Sequence, residues 1–252
     1  VLPQTAGMNG LADGIRDLGR ASGPHGEVLL RRRTTDDGEV HLELVVDGVF
    51  AMDDVDTSTE RLLAAAALSR CTGDGLQVLV GGLGLGWTAA TVLTDPRAAG
   101  VDVVELQPAL VGWAARGLLP SLAGVSDRRL RLRVGDVAAA LAAGPGRWDA
   151  VLLDIDNGPG FLVHESNAPL YRPPGLATAL TALRPGGVLA IWSSDPAPEL
   201  LADLAAVTGA VDAEQVLLPV ERDGRRYEYA VVLARRAGQR SGQRSVGGTG
   251  RG

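Results

Sequence analysis

The chain has 252 residues, 46% of them hydrophobic, enough for one sizeable domain with a small appendage. All 24 of its cationic side chains are Arg, so chemistry that needs a lysine Schiff base or the lysine of a Walker-type phosphate loop is excluded. With 30 acidic residues the formal charge is −6, the wrong sign for a protein that lives on nucleic-acid phosphates. Cys71 is the only cysteine, which rules out an intrachain disulfide or a cysteine-built zinc site. His25, His41 and His164 show no metal-ligand spacing, so no metal is expected. No apolar run nears the roughly 20 residues of a membrane span, and no charged-then-apolar leader opens the chain. The expectation is a cytoplasmic protein without a membrane or nucleic-acid partner.

In chain order, residues 1–23 form an N-terminal segment whose Leu11, Ile15 and Leu18 predict a short amphipathic helix from Met8 to Arg20. After the Gly23-Pro24 break, alternating stretches from Glu27 to Arg33 and from Val40 to Val46 flank Asp36-Asp37-Gly38, and Asp47-Gly48 precedes Val49-Phe50-Ala51. These are hairpin signals, and they predict a small antiparallel β unit over residues 24–56. Asp53, Asp54 and Asp56 close it, either as a solvated turn or as a cluster that draws a cation.

From residue 57 to 236 strands and helices alternate. Helices are expected over Leu62 to Leu68, Thr88 to Leu93, Leu110 to Leu118, Val137 to Ala143 and Leu176 to Leu183. Strands are expected over Leu76 to Val80, Val101 to Leu106, Leu130 to Val134, Ala150 to Asp154 and Val188 to Ser193. The pattern predicts a doubly wound, mostly parallel α/β sheet of Rossmann-like type. Gln215 to Val220 and Tyr227 to Ala234 around Arg222-Asp223-Gly224-Arg225 predict a terminal antiparallel hairpin, giving seven strands. The Gly/Ser/Arg-rich segment 237–252 has the composition of a disordered tail. The runs Arg31 to Arg33 and Arg128 to Arg133 read as solvated strand faces, and Trp87, Trp113, Trp148 and Trp192 as core.

The first strand of the α/β region runs into Gly82-x-Gly84-x-Gly86 before a helix, a turn that brings backbone N–H groups to a ligand at a helix N-terminus. Glu105 ends the second strand 19 residues after Gly86, where a carboxylate accepts ribose hydroxyls. Asp136, followed by Val137, ends the third strand, as a partner for an adenine amine or as an N-cap. Together these residues predict a nucleoside site. A nicotinamide dinucleotide is the rival ligand, but no second mononucleotide-binding half follows residue 154.

Five further stretches extend the pattern: Val78-Leu79-Val80-Gly81-Gly82-Leu83-Gly84, Val104-Glu105-Leu106-Gln107-Pro108, Gly135-Asp136, Trp148-Asp149-Ala150-Val151-Leu152-Leu153-Asp154 and Leu183-Arg184-Pro185-Gly186-Gly187. With Val46-Asp47-Gly48 before them, the chain from about residue 26 to 236 resembles the spermidine synthase (polyamine aminopropyltransferase) family. That family lies within the class I S-adenosylmethionine-dependent methyltransferase fold. The resemblance implies S-adenosylmethionine or its decarboxylated form as co-substrate and a small-molecule acceptor, and it allows a homodimer. It makes Asp154 the catalytic candidate, a carboxylate that orients an attacking amine and takes or relays its proton. Asp156 and Asn157 become acceptor-binding candidates, or an Asx turn before Gly158-Pro159. His164 and Tyr171 fall in the following loop, a lid position over the acceptor.

The departures bear on the reaction. The family's glycine loop carries an Asp that pairs with the ammonium of the decarboxylated donor, and the matching position is read as Leu85. The loss of such a charge-assisted bond is worth about 1.5–3 kcal/mol. The family's Gln after the Asp-Gly turn becomes Met52, and its Tyr-His pair is missing between Thr57 and Leu63. Methyl transfer to a small amine and aminopropyl transfer to a polyamine both stay open, with methyl transfer ahead. A non-catalytic nucleoside-binding relative and an NAD-dependent oxidoreductase are the remoter alternatives.

Overall fold

The computed structural model describes residues 14–123, 127–160, 162, 165–222 and 224–238. They form two sheets. The first is antiparallel, with β1 (Ile15–Gly23), β2 (Gly26–Thr34), β3 (Val40–Val46) and β4 (Val49–Asp53) side by side in chain order. Asp47 and Gly48 both lie at positive φ, 49° and 77°, the conformation that a tight two-residue hairpin requires.

The second sheet follows α1 (Ser58–Arg70). Its elements are β5 (Leu76–Gly81), α2 (Trp87–Thr94), β6 (Ala98–Glu105), α3 (Pro108–Ala115), β7 (Leu130–Val134), α4 (Val137–Ala143) and β8 (Trp148–Leu153). Then come α5 (Pro173–Ala182), β9 (Leu183–Ser193), α6 (Pro198–Ala206), β10 (Ala210–Arg222) and β11 (Arg225–Arg236). The strand order is β10-β11-β9-β8-β5-β6-β7. The run β9-β8-β5-β6-β7 is parallel, and β11 and β10 close it antiparallel. This is the seven-stranded α/β sheet expected from the sequence.

Each central strand is apolar on both faces because each face is covered. Val78 and Val80 of β5, Ala150 and Leu152 of β8, and Val188 and Ala190 of β9 join one core with α1, α2, α3 and the antiparallel sheet. The alternate residues Leu79, Val151, Leu153, Leu189 and Ile191 join a second core with α4, α5 and α6. The winding order reverses between β5 and β8: the chain winds outward from β5 through β6 and β7, then returns to β8 on the other side of β5. The crevice beyond the carboxyl ends of those two strands is the switch point where such folds bind ligands.

Three expectations change. Residues 15–20 are strand, not helix, and the remainder of the expected Met8–Arg20 helix lies largely outside the described residues. A bulge between Asp17 and Gly19 interrupts the two-residue alternation, so Ile15 and Leu18 fall three apart, as on a helix. Gly19 lies flat on Trp113, where a Cβ would come within 2.6 Å of the indole. The arginine runs are not simply solvated. Arg31 and Arg33 both grip the buried Glu43, and Arg131, Arg133 and Arg147 converge on Asp102, which is 1% exposed. Finally, α6 is an element the sequence reading missed, although Pro198 at its start and Leu200 and Leu204 on its buried face mark it. Residues 239–252 of the expected tail lie outside the described residues.

Candidate functional site

The carboxyl ends of β5, β6, β7 and β8 surround one cavity. Gly82 and Gly84, Glu105, Asp136 and Val137, and Asp154, Asp156 and Asn157 all line it. The four-stranded sheet covers one side with Leu44, Val46, Ala51 and Met52, and Glu60, Gln107, Asn167 and Trp192 complete the wall. Eight of the residues anticipated from the sequence are therefore brought together. Three are not. Gly86 turns away, and a Cβ there would meet Ser121 and Leu122. Tyr171 lines a neighbouring cavity and reaches this one only through Asp156, to which its hydroxyl donates at 3.3 Å. His164 lies outside the described residues.

The glycine loop is shaped by close approach. Gly82 sits at φ 88°, and a Cβ on it would stand 2.0 Å from the Asp154 carbonyl oxygen. Only glycine lets the loop after β5 pass that close to the loop after β8. Gly84 lies at φ 50° with the Met52 sulfur 2.7 Å from its notional Cβ. Leu85, by contrast, is buried in the first core and is 1% exposed. Gly84, not Leu85, is thus the loop position that faces the cavity between Gly82 and Gly86. Neither residue carries a charge.

Glu105 braces this loop. Its two oxygens accept the backbone N–H groups of Leu83, at 2.8 Å, and Gln107, at 2.7 Å. Burial pushes its carboxyl up, and these amides pull against the shift. The Leu106 amide adds to that pull, and the carboxylate lines the cavity. Asp136 accepts from the Ala138 N–H at 2.8 Å, so it caps α4 while lining the cavity.

Asp154 accepts from the Thr88 hydroxyl at 2.6 Å. What surface it exposes is turned toward the cavity, and burial raises its carboxyl above the usual range, against the pull of Thr88. Asn157 is fixed through its carbonyl, which accepts from the Ser194 N–H at 3.1 Å and the Ser194 hydroxyl at 2.7 Å. Gly158 follows at φ 93°, pressed on Ser193. Residues 155–157 form a bend, and Asp156 and Asn157 both line the cavity.

Among the wall residues not anticipated as site residues, Trp192 and Glu60 stand out. Trp192 was read as core, yet it is half-buried and forms part of the cavity wall. Glu60, in the first turn of α1, is 7% exposed; burial, then the Asp154 charge, push its carboxyl up to about 7, while the Thr59 hydroxyl at 2.7 Å opposes the shift. A signal existed. Glu60 occupies the first place of the stripe Glu60, Leu63, Ala64, Ala67, the buried face of α1.

A second cavity of about 410 Å³ adjoins the first and shares Ala51, Met52, Glu60, Asn157 and Trp192 with it. Its far wall holds Phe50, Tyr227 and Tyr229, with Asp53, Asp56 and Asp195. Trp192, Tyr229 and Tyr227 form a run of tilted rings with centroids 5.8 and 6.4 Å apart. The aspartates at the end of β4 separate here: Asp53 is buried against Arg222 and Asp56 faces the cavity, while Asp54 accepts the Leu42 N–H of β3.

No protein-family model matches the chain. It is 35% identical over 117 residues to putrescine N-methyltransferase 3 of Nicotiana tabacum, covering 45% of this chain and 29% of that protein. It is 28% identical over 150 residues to spermine synthase of Arabidopsis thaliana, covering 58% and 40%. The matches thus span less than half the length of these curated relatives. Among solved structures, a spermidine synthase in complex with the transition-state analogue AdoDATO superimposes with a TM-score of 0.69 at 16% identity, over 87% of this chain and 73% of that one. The spermidine synthase of Thermotoga maritima does so with a TM-score of 0.68 at 15% identity, over 86% and 72%.

Proposed function

We infer that this chain, similar to the spermidine synthase-like proteins and built on the class I methyltransferase fold, is a transferase using an S-adenosylmethionine-type donor, and that it methylates a small amine. The observation that carries this reading is the single cavity at the switch point, where the glycine loop, Glu105 and Asp136 stand opposite the carboxylate of Asp154. The first group suits a nucleoside: backbone for the tail, Glu105 for ribose hydroxyls, Asp136 for the adenine amine. Asp154 suits the reacting end. Displacement at a sulfonium is in-line, so a carboxylate that holds the attacking nitrogen in place supplies orientation and a proton acceptor together.

The cavity face of the glycine loop favours methyl over aminopropyl transfer. An aminopropyl tail ends in a bare ammonium, and at this loop it would meet Gly84 and the Met52 sulfur in place of a carboxylate. A methionine tail carries its own carboxylate beside its ammonium. Aminopropyl transfer is the second reading, and one observation favours it: among the described residues lining the cavity there is no Arg to meet a methionine carboxylate.

Incubation with each donor and putrescine separates the two. Methyl transfer releases S-adenosylhomocysteine and aminopropyl transfer releases methylthioadenosine; methylthioadenosine alone refutes the methyl assignment. Asp154→Asn should lower kcat by about 10²–10⁴-fold while donor affinity stays within about threefold. An unchanged kcat removes Asp154 from the mechanism.

A further inference from the structure

We propose that Glu60 is a second catalytic carboxylate, the group on which the acceptor's proton comes to rest. This rests on the transferase reading above and assigns the proton step within it.

The geometry comes first. Glu60 belongs to the wall shared by the two cavities, so a molecule reaching the Asp154 cavity from the aromatic one passes its carboxylate. The aromatic cavity fits an alkyl amine: ring faces of Trp192 and Tyr229 for the carbon chain, and Asp56 for a second cationic end. Each acid accepts one threonine hydroxyl, Asp154 that of Thr88 and Glu60 that of Thr59. Of the two, Glu60 belongs to the wall of both cavities.

Two carboxylates in one low-dielectric cavity resist ionising together. Burial and the Asp154 charge push the Glu60 carboxyl up to about 7, and burial raises Asp154 as well. A base matched to neutral pH is more effective than an ordinary carboxylate. Asp56 adds to the same shift, and Asp156 stands in the same cavity. Across the second cavity Glu60 faces Tyr229, Asp195 and the Asp53–Arg222 pair.

The step is balanced. The acceptor enters as R–NH3+ and gives one proton to the Glu60 carboxylate, leaving R–NH2. The nitrogen lone pair forms a bond to the donor methyl carbon, and the carbon–sulfur bond breaks with its electron pair going to sulfur. The products are R–NH2+–CH3 and a neutral thioether, and the Glu60 proton leaves to solvent before the next turnover.

The test uses the full chain with S-adenosylmethionine and putrescine. In the wild type, kcat/KM should rise with pH through an apparent pKa near 7. Glu60→Gln should lose that limb and about 10²-fold or more in kcat, with S-adenosylhomocysteine affinity within about threefold, and Glu60→Asp should recover part of the rate. Calorimetry in buffers of different ionisation enthalpy gives a readout independent of turnover. At pH 7, putrescine binding to the S-adenosylhomocysteine-loaded wild type should release a fraction of a proton, and Glu60→Gln should release none. A Gln variant with wild-type rate and pH profile, equal proton release from both proteins, or no putrescine binding to the loaded wild type overturns the proposal. If the wild type binds neither S-adenosylmethionine nor its decarboxylated form, the transferase reading itself falls. If donor binds and Glu60→Gln turns over normally, only the role of Glu60 falls.

Discussion

A carboxyl held at about 7 in the folded protein, against its ordinary 4.5, makes a definite statement about stability. Between those two pH values the folded chain keeps a proton on Glu60 that the unfolded chain has released. Stability therefore falls as pH rises through that window, and the contribution present below 4.5 is gone above 7. At about 1.4 kcal/mol per pH unit the loss comes to about 3 kcal/mol. Glu60→Gln keeps the shape and the acceptor for the Thr59 hydroxyl but cannot ionise. The donor-free variant should match the wild type near pH 4.5 and exceed it by about 3 kcal/mol at pH 8, roughly 6–12 °C in Tm for a chain of this size. Urea or thermal unfolding of both proteins at both pH values gives the comparison. Asp154 and Glu105 are raised by the same burial and slope the same way, but they do so in both proteins, so the difference reports Glu60. An offset that is the same at both pH values, or a variant less stable at pH 8, refutes the reasoning.

Gly82→Ala puts a Cβ 2.0 Å from the Asp154 carbonyl oxygen at a left-handed φ; it should cost at least about 2 kcal/mol and weaken donor binding, measured by unfolding and by calorimetry. Met52→Ala combined with Gly84→Asp opens room for a carboxylate at the cavity face of the loop, where an Asp tolerates φ 50°. It should shift preference toward decarboxylated S-adenosylmethionine by roughly 10–100-fold, as one charge-assisted bond allows; competition binding of the two donors checks it, and an unchanged ratio shows that this position does not read the tail.

The sheet was legible because its strands are short apolar runs closed by Gly or Asp. Leu130–Val134 and Val137–Ala143 fall where the pattern puts them. The first strand was not, because a bulge changes the spacing of the apolar residues, and sequence alone does not reveal the indole of Trp113 against Gly19. Within the site, Glu105, Asp136 and Asp154 were legible because a parallel sheet delivers its strand ends to one edge. The side chain that faces the cavity in the glycine loop was not. Gly82, Gly84 and Gly86 all sit at positive φ, so the in-and-out alternation of a strand does not extend through the loop and Leu85 turns to the core. Glu60 escaped for a different reason: it comes from α1, and the packing of that helix against β9 and β11, close to the crevice, is a tertiary fact.

The absence of lysine acquires its meaning at this cavity. Its described lining carries Glu60, Glu105, Asp136, Asp154 and Asp156 and no basic side chain. Such a wall favours cations, and both reactants of the proposed step bring one, a sulfonium and an ammonium. Transfer turns the sulfonium into a neutral thioether while the positive charge moves to the alkylated nitrogen. The acidic wall therefore holds the donor more strongly before reaction than after it, which assists release of the spent nucleoside. A lysine here would oppose both cations and compete for the proton that Glu60 is placed to take. Arg, always protonated, could accept no proton. Proton transfer in this cavity is left to carboxylates whose burial has raised them toward neutrality, and the same burial sets the stability cost measured by Glu60→Gln.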